Sequence, residues 1–362
     1  MKCADEFRSR DITAPLLAEL QKCLTRPVRI MEVCGTHTMS IFRHGIRSLL
    51  PEGITLLSGP GCPVCVTPAS HIDAFIRAAD LPEVIVATFG DLIRVPGSEK
   101  SLATARAEGA KVEIVYSPMD ALELARKEKD RKIVFPAIGF ETTVPTIAAT
   151  ILAAEQQQID NFFIISAGKT MPQALELLMS DPALEVDGLL CPGHVSAIIG
   201  ANAYQPLAKK YNLSCAVAGF EPADILAGLL SIAKQINSGQ PQVDNCYTRV
   251  VTDKGNLKAQ ELINHVFIPE DSEWRGLGVI PGSGLQLKEK FTKFDALKEL
   301  ALPIKPTEDP KGCKCGDILK GLMLPPDCPL YGKRCTPLQP VGPCMVSNEG
   351  TCAAYHRYSE KR

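Results

Sequence analysis

A chain of 362 residues, 45% apolar and 22% charged with a formal net charge of -2, is too long for one ordinary core and has no broad attraction for nucleic acid or anionic membranes. No run of about eighteen apolar residues is long enough to span a bilayer. The start Met1-Lys2-Cys3-Ala4-Asp5-Glu6 is too polar and acidic for a secretory signal, so a cytoplasmic protein is expected.

The first predicted element is an amphipathic helix from about Asp11 to Leu24, with Ile12, Leu16, Leu20 and Leu24 on one stripe. Val28 to Val33 reads as a strand that ends in Cys34-Gly35-Thr36-His37-Thr38, and a helical run follows. Ile54 to Leu57 is the next strand, and it delivers Gly59-Pro60-Gly61-Cys62-Pro63-Val64-Cys65. The unit recurs. Val84 to Ala87 runs into Gly90-Asp91, Lys111 to Val115 into Ser117-Pro118, and Ile133 to Ile138 into Gly139-Phe140-Glu141-Thr142-Thr143. Phe162 to Ile165 reaches Gly168-Lys169, Gly188 to Leu190 reaches Pro192-Gly193-His194-Val195-Ser196, and Cys215 to Val217 reaches Gly219-Phe220-Glu221. Helical stretches such as Ala121 to Lys129, Pro172 to Met179 and Ile225 to Gln235 separate the strands.

Strand and helix alternating in this way predict an α/β fold with parallel sheets covered on both faces, and ligands then bind beyond the carboxyl ends of the strands. Two similar halves fit the pattern, as domains over 1–138 and 139–238, with a third over 239–362. The first helix is a candidate to pack on that third domain. From Asp271-Ser272-Glu273-Trp274-Arg275-Gly276-Leu277-Gly278 onward the chain reads as irregular and rich in Gly and Pro, and such a region needs a staple.

In a reducing compartment fourteen cysteines read as metal ligands or redox thiols rather than as a disulfide framework. Cys62 and Cys65 stand at a strand-to-helix corner, where unpaired N–H groups favour thiolate and prepare the pair for redox chemistry or for a soft metal. The plainer reading is two structural cysteines beside a tight turn. Cys313, Cys315, Cys328, Cys335, Cys344 and Cys352 crowd the last fifty residues and suit zinc or an iron-sulfur cluster. Their spacing matches neither common zinc ribbons nor the compact ferredoxin run. Cys34, His37, Glu141 and His194 are further candidates because all four follow strand ends; His44, His71, His265 and His356 read as ordinary. Gly168-Lys169-Thr170 looks like the tail of a phosphate-binding loop, but Phe163 stands where that loop needs glycine.

Together the motifs around Cys34, Cys62, Glu141 and His194 resemble the hydrogenase maturation factor HypD family over essentially the whole chain. The resemblance implies two Rossmann-like parallel-sheet domains plus a smaller irregular iron-sulfur domain carrying a 4Fe-4S cluster. It also implies cytoplasmic work with a HypC-type chaperone and HypE, assembling for the hydrogenase large subunit an iron that carries cyanide and carbon monoxide, Fe(CN)2CO. By that resemblance Cys34 is the iron site, and Cys62 and Cys65 are the redox pair. Cys315, Cys328, Cys335 and Cys352 are the cluster ligands, with Cys313 and Cys344 left over. His37, Glu141 and His194 join them as site residues. Two other readings stand beside this one: a general thiol-disulfide oxidoreductase, and a zinc-stapled α/β binding protein without redox work.

Overall fold

The computed structural model describes residues 6–358, so the polar start Met1 to Asp5 lies outside the described residues. Eleven strands form along the described chain: β1 Val28–Glu32, β2 Ile54–Ser58, β3 Val84–Thr88, β4 Val112–Ile114, β5 Lys132–Gly139, β6 Phe162–Gly168, β7 Gly188–Pro192, β8 Ser214–Ala218, β9 Val243–Asn245, β10 Phe267–Trp274 and β11 Gly278–Leu287. β3, β7 and β8 are buried along their whole length, as expected for parallel strands with helices on both faces.

Two sheets result, each wholly parallel. The first has the order β2-β1-β7-β8-β9 and the second β4-β3-β5-β6. The expected division at residue 139 does not match this order. β5 lies before it and β6 after it, yet the two pair in register from Ile133↔Phe162 to Gly139↔Gly168. The second sheet is instead inserted between β2 and β7 of the first, and β1 pairs across that gap through Met31↔Leu189. Parallel neighbours need a crossover of about a dozen residues or more, with no upper limit, so alternation along the chain specifies the class of sheet and not the partners within it.

The first helix, Arg10–Cys23, has its main contact just ahead of the third domain expected from residue 239, with Leu16 sharing a groove with Gln240 and Asp244. It lies on helix Pro222–Ser238, where Leu20 enters the apolar core shared by Ile30, Leu190, Leu226 and Leu229, and Glu19 pairs with Lys234. An amphipathic stripe predicts burial without naming the face it meets.

The stretch around Trp274 is not irregular. β10 and β11 form an antiparallel hairpin with a bulge between Glu270 and Ser272 and a tip at Arg275-Gly276-Leu277. The hairpin is a separate two-stranded sheet laid against the end of β6: Thr170 N–H donates to Ser283 O across 2.9 Å and Ser166 Oγ to Leu285 O across 2.5 Å. Its sequence hides the strand period because Glu270, Asp271, Ser272 and Glu273 stand in succession. The remainder is tied down by short helix Cys315–Leu319 and by helix Thr351–Tyr358, which packs on helix Gly35–Arg43 with Phe42 and Tyr355 rings 4.5 Å apart. Among the described residues no helix is long and apolar enough to cross a membrane.

Candidate functional site

Cys34 is the first residue after β1 and Val33, extended at φ -154° and ψ 123°, and it caps helix Gly35–Arg43. Its sulfur lies 3.7 Å from His194 Nδ1 and 3.9 Å from Nε2, so a side chain 160 positions away stands over the thiol. Burial, joined by the negative charge of Glu349, pushes the Cys34 thiol far up. The backbone N–H groups of His37 and Thr36 pull the other way and lose. As it stands, Cys34 is a protonated thiol that needs a cation to become a thiolate.

Both histidines expected from the strand ends are present and neutral. Burial holds His37 and His194 down to about 4. His37 Nε2 donates to Gly219 O across 2.9 Å, leaving a buried Nδ1 with no hydrogen-bond partner. Phe220 packs against both imidazoles, with centroids 4.9 Å from His37 and 5.1 Å from His194. Behind Cys34, the buried Glu32 accepts from Thr38 Oγ1 at 2.5 Å and from Ser58 Oγ at 2.7 Å, which fastens the β1 and β2 turns to each other.

Cys62 and Cys65 form a disulfide on the next turn. Gly61 sets the approach: a Cβ there would lie 2.3 Å from both N and Cα of Cys34, so only glycine lets the two turns touch. Cys62 caps the short helix Pro63–Val66, and Cys65 N–H donates to Cys62 Sγ across 3.1 Å. Ser347 Oγ lies 3.4 Å from the same sulfur. The two cysteines are 3% and 0% exposed, which leaves neither sulfur open to a protein disulfide as a general oxidoreductase requires.

The six carboxyl-terminal cysteines line one cavity whose other walls include Ile318, Leu330 and Met345. Cys344, left over in the resemblance, is as deep as the others and its sulfur lies 2.8 Å from that of Cys315. That contact, and then the Arg275 guanidinium, hold Cys315 down while Cys344 is pushed up. Among the described residues no three His, Cys, Asp or Glu side chains stand at metal-ligand geometry. The donor set is nonetheless all sulfur in an apolar, water-poor cavity, which fits a soft metal group.

Arg275 at the hairpin tip joins the two thiol sites. Its N–H and Nε donate to Val66 O at 2.8 Å and Thr67 O at 3.0 Å, just past the disulfide. Its guanidinium also pairs with Asp309 at 3.0 Å, and an added Cβ on Gly276 would lie 2.3 Å from Gly316 Cα. Glu141 is bonded elsewhere: Oε1 accepts from Met171 N–H across 2.9 Å, Oε2 is buried with no partner, and burial pushes the carboxyl up to about 7. Lys169 is no phosphate ligand in waiting. Its ammonium donates to Ser272 Oγ at 2.8 Å and Glu273 O at 2.6 Å, and burial lowers it to about 7.

Of the residues singled out from sequence, Cys34, His37 and His194 come together around Phe220, with Cys62 and Cys65 on the adjoining turn; Arg275, Ser347 and Glu349, which lie beside them, were not singled out. His71, read as ordinary, is held down to about 4 by burial and the nearby Lys169. Ser347 and Glu349 carried no motif signal, whereas Arg275 sits in the quoted Trp274-Arg275-Gly276 run and Lys169 in the Gly168-Lys169-Thr170 run.

The fold and the site define an α/β protein that gathers a buried thiol and a disulfide at strand ends, beside a sulfur-lined cavity built from its carboxyl-terminal loops and short helices. The chain matches the HypD family, described as "Hydrogenase formation hypA family", over residues 11–359. It is 44% identical to the hydrogenase maturation factor HypD of Azotobacter vinelandii, covering 100% of this chain and 98% of that one. The same identity relates it to the Escherichia coli K12 hydrogenase maturation factor HypD, over 100% of this chain and 99% of the relative. The corresponding factor of Cupriavidus necator is 41% identical over 99% and 97%. The chain therefore belongs to the HypD family of hydrogenase maturation factors.

Proposed function

We propose that this protein is the scaffold on which the Fe(CN)2CO group of a nickel-iron hydrogenase is assembled, with Cys34 as its anchor for that iron. The observation that carries the reading is the Cys34–His194 contact, a thiol buried beside a neutral imidazole at the joined ends of β1 and β7. A soft, low-spin iron takes thiolate, and its positive charge offsets the burial that holds Cys34 protonated. His194, kept neutral by burial, adds no positive charge against the incoming iron and can turn a ring N–H toward the thiolate. Backbone N–H groups of Thr36 and His37, which already face the Cys34 sulfur, are donors of the kind that cyanide nitrogen accepts.

The Cys62–Cys65 pair stores two electrons as a dithiol and releases them on closing to the disulfide. Cys315, Cys328, Cys335 and Cys352 would hold a 4Fe-4S cluster, with Cys344 adjoining Cys315 and Cys313 at the rim. Such a cluster, when bound, supplies single electrons. The chain's part is to keep the sulfurs dry, to place Arg275 between them and the dithiol, and to hold Cys34 for the cargo. A HypC-type chaperone supplies a second thiolate to the iron, and HypE and the hydrogenase large subunit follow, in a cytoplasmic setting.

The test is infrared spectroscopy of oxygen-free protein co-purified with its small chaperone. Bands of iron-bound cyanide and carbon monoxide are expected in the wild type, absent in Cys34→Ser, and absent in Cys62→Ser and Cys65→Ser with the iron-sulfur content intact. Normal bands in both dithiol variants sink the redox role. Colourless protein with one zinc per chain turns the sulfur-lined cavity into a structural staple.

A further inference from the structure

The disulfide is not symmetric in its surroundings. Cys62 Sγ faces Cys65 N–H at 3.1 Å and Ser347 Oγ at 3.4 Å. In the disulfide that sulfur carries no proton, so the serine hydroxyl is the donor. Ser347 is 1% exposed, and its oxygen accepts from Glu349 N–H across 3.2 Å, which leaves its own proton to point at sulfur.

We propose that Ser347 is a positioning residue for the dithiol and marks Cys62 as the sulfur that takes the negative charge when the disulfide opens. This rests on the redox reading of the pair. The step balances as follows: the S–S bond accepts two electrons, one each from two equivalents of a viologen radical, and breaks. Cys62 becomes a thiolate held by two donors, and Cys65 takes one proton from solvent to become a thiol. Ser347 lies between Cys344 and Cys352, so the segment that sets the charge of the dithiol belongs to the cysteine-rich part and not to the turn that carries the pair.

The experiment is a mediated redox titration of the full-length protein, with proton uptake recorded in weakly buffered solution and the double Cys62→Ser, Cys65→Ser protein subtracted as baseline. The wild-type couple should take up about one proton per two electrons at neutral pH. Ser347→Ala should shift its equilibrium about tenfold toward the disulfide, a potential about 30 mV more negative, and raise proton uptake toward two. Ser347→Thr, which keeps the hydroxyl, should restore the wild-type values. Two protons in the wild type overturn the proposal, and that count needs no variant to fold. An unshifted potential in folded Ser347→Ala overturns it as well. A wild type with no two-electron couple above the baseline instead refutes the redox reading beneath it.

Discussion

Thr36 donates its hydroxyl to a carboxylate oxygen of Glu349 across 2.7 Å, and by this bond the turn that carries Cys34 is held by the loop between Cys344 and Cys352. The contact is close elsewhere too, since a Cβ on Gly35 would lie 2.3 Å from Glu349 O. Burial raises the Glu349 carboxyl, and the Thr36 hydroxyl works against that rise. Replacing Thr36 with Val removes the donor and keeps the shape. A loss of about 1–2 kcal/mol in urea unfolding is expected, from leaving a largely buried carboxylate one donor short. No loss would mean that solvent already serves Glu349.

Gly61→Ala forces a methyl into the backbone of Cys34. No side chain can give way there, so the two turns must separate, with a cost of about 1–3 kcal/mol. On the proposed reading, the same variant should lose iron binding at Cys34 and leave the metal content of the sulfur-lined cavity unchanged. Metal analysis of the purified protein separates the two effects, and full retention of both would contradict the contact.

His194→Phe keeps a ring against Phe220 and removes the nitrogen beside Cys34. If a ring N–H of the imidazole holds the Cys34 thiolate, iron affinity at Cys34 should fall ten- to a hundredfold, roughly the effect of losing a partner that supports a metal ligand. Iron retention after dialysis against a chelator measures it. His37→Phe should behave differently, because His37 is occupied with Gly219 and its loss falls first on stability.

Glu141 gives a pH signature. Its carboxyl has an ordinary value of 4.5 and is raised to about 7 in the fold by burial. Below 4.5 both folded and unfolded chains hold the proton, and no penalty exists. Between 4.5 and 7 the unfolded chain releases its proton and the folded chain keeps it, so the wild type loses stability as pH rises, by about 3 kcal/mol in all at about 1.4 kcal/mol per unit. Glu141→Gln is neutral throughout. Its stability relative to wild type should therefore climb across that window and level off above it, whereas a gap independent of pH would show that Glu141 is not buried as a neutral acid. Glu32, also raised to about 7, is common to both proteins and cancels in the difference.

Serine replacements of the six clustered cysteines, one at a time, give the ligand set. Loss of iron and sulfide in the variants of Cys315, Cys328, Cys335 and Cys352, with retention in those of Cys313 and Cys344, is expected. Loss on Cys344→Ser would transfer one place to it, a result its 2.8 Å contact with Cys315 makes worth reading first.

Much of this site was legible because chemistry in parallel α/β folds collects where strands end. Cys34, Cys62, Glu141 and His194 could be placed there from strand patterns alone, before any of their partners was known. What the pattern did not contain was pairing. Nothing near Met31 says that its neighbour across the ladder is Leu189, and so the two sheets were divided at the wrong place. Ser347 and Glu349 were invisible for a related reason. A serine and a glutamate in a loop are ordinary until the fold lays them against Cys62 and Thr36, and no local period encodes such a contact. The β10–β11 hairpin was hidden by its own polar run, whose side chains serve Lys169 and the solvent rather than a two-faced core.

The insertion of one sheet inside the other also fixes an order of events during translation. β1 and β2 leave the ribosome early, but the strand that completes them, β7, begins only at residue 188, after the inserted sheet has all its strands. Domains fold as their residues emerge, so the inserted sheet can close first while Cys34 waits without His194 above it. The last of the clustered thiols, Cys352, emerges later still. On the proposed reading, a nascent chain offers no finished cradle to stray iron, and competence to receive cargo arrives with the final tenth of synthesis.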